Sequence, residues 1–163
     1  HTNTDDDTHA PLIVSAPGRP AAGRTTDAIV ELVDLYPTLA DLAGLPAPAR
    51  SEGLSFRPLL ANPDQPWKTA AFSQFPRTPG QTGGAALMGY SMRTARHRLT
   101  VWVPRGHSDR IEALELYDLE TDPQENTNIA KRPENAALVE RLLAQWREGW
   151  QGARPPAAAR IRH

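Results

Sequence analysis

The chain has 163 residues, 39% of them hydrophobic and 23% charged, and its 18 basic and 19 acidic side chains leave a net charge of −1. That length suits one domain of ordinary size. The near-neutral balance excludes a global field that would recruit nucleic acid or an anionic membrane, the lack of cysteine excludes disulfides and thiolate chemistry, and no apolar run is long enough to span a bilayer.

Residues 1–10, HTNTDDDTHA, read as a polar loop with no signal peptide. The first residue is His1 and not Met, which fits a fragment or a processed chain. Leu12 to Ser15 is a continuous apolar run closed by Pro17 and Gly18, so a short strand buried on both faces is expected. The next sixty residues offer it few partners, and its sheet is expected to lie outside the chain. Ile29, Leu32, Val33, Tyr36, Leu39, Ala40 and Ala43 recur at helical spacing. Gly44 supplies the stop and Pro46 reinforces it. Pro37 is compatible with that helix if the helix proper starts near Asp34.

One helical turn is expected at FRPLLANP within residues 46–66, and a strand at about 69–75. Residues 76–86 read as a loop. Tyr90, Met92 and Thr94 alternate with Ser91 and Arg93, and after a turn near Ala95 to His97, Leu99, Val101 and Val103 alternate with Thr100 and Trp102. That pattern is a β-hairpin. Residues 104–112 are a charged connection, and ALELYDL is a third strand of a meander. The last helix begins at Pro133 and places Val139, Leu142, Leu143, Trp146 and Trp150 on one face. The fold class expected is an α/β fragment followed by α+β: one strand and helix of a larger domain, then a small antiparallel sheet with a packed C-terminal helix. The expected boundaries are 1–66 for the edge of the larger domain, 67–152 for the small subdomain and 153–163 for a disordered tail rich in Pro, Ala and Arg.

Between the third strand and the last helix lies ELYDLETDPQENTNIA, residues 115–130. Asp122-Pro123 suits a turn, since the carboxylate can accept backbone N–H groups two residues on and Pro fixes φ at the second turn position. Glu125 and Asn128 can tie down the N–H groups that follow. A structural role therefore accounts for the stretch without a catalytic one. The same stretch resembles the C-terminal signature of sulfatases, Leu-Tyr-Asp-Leu followed by Asp-Pro-x-Glu-x-x-Asn. Three further stretches resemble the family in its own order: THAPLIVSAPG, VELVDLYPTLADLAGLPAP, and AFSQFPR with MGYSMRTARHRLTVWV. The last resembles the iduronate-2-sulfatase branch in particular. The resemblance covers residues 1 to about 150.

The resemblance implies a hydrolase of the alkaline phosphatase superfamily that cleaves sulfate esters, with a sulfated glycan such as a glycosaminoglycan as substrate. It implies a formylglycine made within Cys/Ser-x-Pro-x-Arg, a calcium ion held by acidic residues, and a periplasmic or secreted setting. The chain has no such motif. The calcium ligands and the active-site lysine are expected just upstream of His1, in a missing N-terminal catalytic portion, and this chain alone is expected to be inactive. No catalytic or metal-binding residue is assigned to it. Nucleic acid and membrane are not expected as partners.

Two residues are candidates for substrate contact. His1 is expected directly after the absent lysine, and His9 sits in Thr-His-x-Pro, which resembles the iduronate-2-sulfatase branch. A histidine at a pocket rim can hydrogen-bond an anion, or attract one when protonated. For His9 the alternative is packing beneath the loop. Asp5, Asp6 and Asp7 invite a calcium reading, but consecutive side chains diverge, and solvated acids are expected. Arg98 and His97 are expected at a solvated turn, Arg93 in a structural ion pair, and Trp102, Trp146 and Trp150 in packing. Two rival functions remain: a phosphonate or phosphate ester hydrolase of the same superfamily, and an autonomous glycan-binding module.

Overall fold

The computed structural model describes residues 3–18, 20–46, 49–82, 84–107 and 110–155. They form two compact units. One takes Ala70–Ala153 together with the described residues up to Pro11, and the other takes Leu12–Thr69 together with Arg154 and Pro155. Among the described residues no helix is long and apolar enough to cross a membrane.

In the first unit, β1 (Ala70–Arg77), β2 (Leu87–Thr94), β3 (His97–Pro104) and β4 (Ala113–Asp118) form an antiparallel meander in chain order. The meander runs as the alternation of apolar residues predicts. The two-residue connection Ala95-Arg96 is tightened by Thr94, whose hydroxyl accepts from the His97 N–H at 2.9 Å. Met92, Leu99 and Leu116 lie opposite one another across three strands, so they share a face. All three are fully buried, with Ala70, Val101 and Val103. The alternate positions Ser91, Arg98 and Thr100 face the other way and are buried too.

A short helix, α1 (Asp5–Thr8), precedes the sheet, and α3 (Pro79–Thr82) lies in the β1–β2 connection, where the sequence suggests only a loop. The last helix, α4 (Ala136–Gly152), follows a 3-10 turn at Pro133–Asn135. It lays Leu142 into the sheet's apolar face, with Leu138, Val139, Leu143 and Trp146 partly buried around it. The Trp146 ring meets Tyr90 at a centroid distance of 6.3 Å. Ala153 and Pro155, assigned by the sequence to the tail, are buried, and residues 156–163 lie outside the described residues.

In the second unit, α2 (Leu35–Leu42) is shorter than the periodicity suggests and is preceded by a 3-10 turn at Leu32–Asp34. The shortening fits Pro37, which falls in the first turn of α2, where no amide donor is required. The helix ends in a Schellman motif. Gly44 takes φ +68, and the Leu45 N–H reaches the Ala40 carbonyl at 2.9 Å. Asp34 is completely buried. Its carboxylate accepts from the Lys68 ammonium at 2.7 and 2.8 Å and from the backbone N–H groups of Leu54 (2.7 Å) and Glu31 (2.9 Å). Lys68 also binds Glu31 at 2.8 Å. Thr38 links this cluster to the next loop, because its hydroxyl donates to the Asp34 carbonyl and accepts from the Phe56 N–H.

One expected element is absent. Leu12 to Ser15 is not part of any strand, and Ile13 is 92% exposed. A strand exists only through its ladder, and no described segment of the second unit pairs with this run. The apolar residues of the α2 region are likewise open: Leu32, Val33, Tyr36 and Leu39 are all exposed, while Pro37, Thr38 and Ala40 are buried.

Two stability predictions follow from this packing. Leu142→Ala empties a buried site and costs about 2 to 5 kcal/mol. Asp34→Ala leaves the buried Lys68 with Glu31 alone and costs about 3 to 5 kcal/mol, the penalty for breaking a buried ion pair. Denaturant unfolding of the full-length protein measures both.

Candidate functional site

The polar face of the sheet starts from an electrostatic problem. The β2–β3 register sets Arg93 directly opposite Arg98. Like charges facing each other across a strand pair repel. Each guanidinium is matched by a carboxylate from a different segment. Arg98, expected at a solvated turn, is only 2% exposed and pairs with Glu125, which is 4% exposed. Its Nη1 donates to the Thr100 hydroxyl at 2.6 Å, and that hydroxyl lies 3.2 Å from the Ser91 hydroxyl. The guanidinium also stands over the Tyr117 ring, 4.8 Å from its centroid. Arg93 Nε donates to Asp5 Oδ1 at 3.1 Å, so Arg93 forms the expected ion pair.

These pairs fasten the segment Asn3–His9 to the sheet. Glu125 Oε2 accepts from the backbone N–H of Asp5 at 2.9 Å, across 120 residues of sequence. The buried Asn3 side chain donates to the Gly89 carbonyl at 3.0 Å. Gly89 permits this approach, since a Cβ there would stand 2.6 Å from the Trp102 ring and 2.8 Å from Asn3 Nδ2. Asp5 also contacts His9, with Oδ2 at 3.2 Å from Nδ1. The His9 side chain is 70% exposed, so it does not pack beneath the loop. Asp5 holds Nδ1, and in the protonated ring Nε2–H is a second donor that an anion can accept from. His1 lies outside the described residues. Asp5, Asp6 and Asp7 form the single turn α1, and Asp6 and Asp7 are exposed.

The 115–130 stretch is a set of carboxylate and amide anchors. Asp118 receives the Arg96 guanidinium at 2.9 and 2.7 Å. Asp122 caps the loop with its carboxylate as expected, but it accepts from N–H groups four and five residues on, those of Asn126 (3.1 Å) and Thr127 (2.8 Å), and not two residues on. Asn128 Oδ1 accepts from the N–H groups of Leu116 and Ala130, and its amide donates to the Leu114 carbonyl, which binds the loop to β4. Glu125 departs from the expectation. It turns away from the N–H groups that follow it and serves Arg98 and Asp5. Its backbone takes φ +56, a region uncommon for a residue other than glycine.

The sequence profile of the N-sulphoglucosamine sulphohydrolase C-terminal family matches residues 3–150. The chain belongs to this sulfatase family. It is 31% identical to iduronate 2-sulfatase of Mus musculus over 87% of its own length, and 35% identical to arylsulfatase K of Homo sapiens over 83%. A solved protein in complex with its substrate D-glucosamine-2-N,6-O-disulfate is 30% identical, with a TM-score of 0.65 over 81% of this chain and 26% of that one. The phosphonate monoester hydrolase of Agrobacterium radiobacter is 28% identical, with a TM-score of 0.60 over 81% of this chain and 28% of its own. The chain spans about a third of the mouse iduronate 2-sulfatase (36%) and a quarter of the human arylsulfatase K (25%).

Sulfatases as a family imply calcium. Among the described residues no group of three or more His, Asp or Glu side chains could hold a metal ion, and the Asp5 carboxylate is already engaged by Arg93 and His9. The described residues of this sulfatase chain do not fit a calcium cage.

The signature carboxylates set an acid sensitivity. The Arg96 hydrogen bond holds the Asp118 carboxyl well below its ordinary 3.8, at about 2. Backbone N–H groups of Asn126 and Thr127 lower Asp122 as well. A depressed folded-state pKa adds stability that is complete above the unfolded value. That stability is lost as pH falls through the folded value. Stability of the full-length protein is therefore expected to fall between pH 3.8 and about 2 as Asp118 is protonated. In an acid titration followed by melting temperature, Asp118→Asn flattens that limb, and added salt weakens it because Arg96 is half exposed.

Proposed function

We propose that this chain is the C-terminal part of a sulfatase that hydrolyses a sulfate ester of a glycan. The observation that carries the reading is the similarity along residues 3–150, which takes in both the Asn3–His9 segment and the 115–130 signature. In this reading the edge of the large catalytic domain, expected over residues 1–66, is drawn instead as Leu12–Thr69, because the described residues up to Pro11 group with the sheet, and the sheet with α4 is the small C-terminal subdomain. The exposed apolar residues around α2 support that assignment, because monomers seldom leave such surface open. The catalytic nucleophile and the calcium ligands lie outside this chain. This segment contributes framework and one rim of the pocket.

His9 is the described residue proposed to touch substrate, and His1, outside the described residues, is proposed as a second substrate contact. With Nδ1–H donating to the Asp5 carboxylate, Nε2 of the neutral ring is an acceptor, so the exposed His9 donates to a sulfate or carboxylate oxygen through Nε2–H only as the imidazolium, and that bond is charge-assisted.

A second reading is favoured by one observation, the similarity to a phosphonate monoester hydrolase. Parallel assays of the full-length protein on an aryl sulfate, sulfated mono- and disaccharides and a phosphonate monoester decide between them. Sulfate-ester turnover above the phosphonate rate is expected, and the reverse preference overturns the sulfatase reading. His9→Ala is expected to raise KM about tenfold or more with a smaller change in kcat, as for the loss of one hydrogen bond to a charged group. An unchanged KM removes His9 from the rim.

A further inference from the structure

We infer that Glu125 is a positioning residue, whose buried carboxylate holds the Asn3–His9 segment and so fixes where the His9 imidazole stands. The inference rests on the proposed rim role of His9 and assigns what sets its place. Glu125 divides its two oxygens. Oε1 pairs with Arg98, and Oε2 accepts from the Asp5 N–H at 2.9 Å. Arg98 is itself fixed by Thr100 at 2.6 Å and by its stacking over Tyr117. Glu125 therefore has little freedom to follow the segment, and the segment must follow Glu125. Asp5 passes the constraint on, with Oδ1 on Arg93 at 3.1 Å and Oδ2 at 3.2 Å from His9 Nδ1. The path from sheet to imidazole thus runs Arg98, Glu125, Asp5, His9, and each step is a hydrogen bond or an ion pair.

An alternative role for Glu125 is to neutralise Arg98 and nothing more. That role does not require the contact to Asp5, nor the left-handed backbone at φ +56 that places Glu125 between the two. The two roles also predict different consequences. A residue that only neutralises Arg98 loosens the sheet as a whole when it is lost. A positioning residue loosens residues 4–9 first and changes how substrate binds.

The test uses the full-length protein with Glu125→Gln, His9→Ala and the double variant. Amide hydrogen exchange is the first readout and does not depend on activity. Exchange in residues 4–9 is expected to rise about tenfold or more, as when one hydrogen bond is lost from a closed segment, with protection in β2, β3 and α4 unchanged. Kinetics on an aryl sulfate are the second readout. Glu125→Gln is expected to raise KM by a factor similar to that of His9→Ala, and the double variant is expected to be no worse than the weaker single one. Where Glu125→Gln does not fold, Glu125→Asp keeps the charge against Arg98 but withdraws the carboxylate by one methylene, and the same localised exchange is expected. Unchanged exchange in residues 4–9, or a rise spread evenly over the sheet, overturns the inference. So does a double variant whose losses simply multiply. If the parent protein turns over no sulfate ester, the proposed function fails, and the exchange result still decides whether Glu125 holds the segment.

Discussion

The buried pair of Arg98 and Glu125 is the contact on which the polar half of the first unit depends. A guanidinium 2% exposed on a central strand is tolerable only with a carboxylate and further acceptors around it. Glu125 supplies the carboxylate, Thr100 an acceptor and Tyr117 a ring face. Around this pair the sheet acquires two unlike faces. One is apolar and receives α4 through Leu142, and the other is polar and receives the Asn3–His9 segment. Replacing the pair by apolar groups of similar volume could leave the sheet as stable as before. It would remove the acceptor for Asp5, so the pair confers a connection more than it confers stability.

Periodicity made the meander and the last helix legible. The two-residue period of Leu99, Val101 and Val103 places them on one face whatever the detail of the turn, and the spacing of Val139, Leu142, Leu143 and Trp146 does the same for α4. The Asp122 turn was legible because its hydrogen bonds are local, within five residues. Arg98 was misread for the opposite reason. From neighbours alone, an arginine two residues after a turn reads as solvated, and its partner Glu125 is 27 residues away. The contact between Asp5 and Glu125, at a separation of 120, leaves no local trace at all. Leu12 to Ser15 shows the other limit. Composition gives the tendency to form a strand, but pairing requires a second segment.

Two of the stretches that resemble the family are sets of buried or anchored polar groups. In VDLYPT the buried Asp34 organises Lys68, Glu31, Leu54 and, through Thr38, Phe56. In LYDLETDPQENTN, Asp118, Asp122, Glu125 and Asn128 each bind a different part of the first unit. Such residues leave little room for substitution, because each satisfies specific donors that water does not reach or that fix a loop. Their roles here are hydrogen-bonding ones and do not by themselves require contact with a reacting atom.

The positive φ of Glu125 sets two demands on one position against each other. The backbone there favours glycine, or asparagine next, because neither suffers much from a Cβ in that conformation. The side chain favours glutamate alone, since asparagine is one methylene too short and glycine has no acceptor. Glycine at 125 would relax the main chain and leave Arg98 buried without its counter-ion, while most other side chains would keep the backbone cost and lose the pair as well. Only aspartate lies between the two demands, since it tolerates the left-handed backbone and keeps the charge, but it withdraws the carboxylate by one methylene from both Arg98 and the Asp5 N–H.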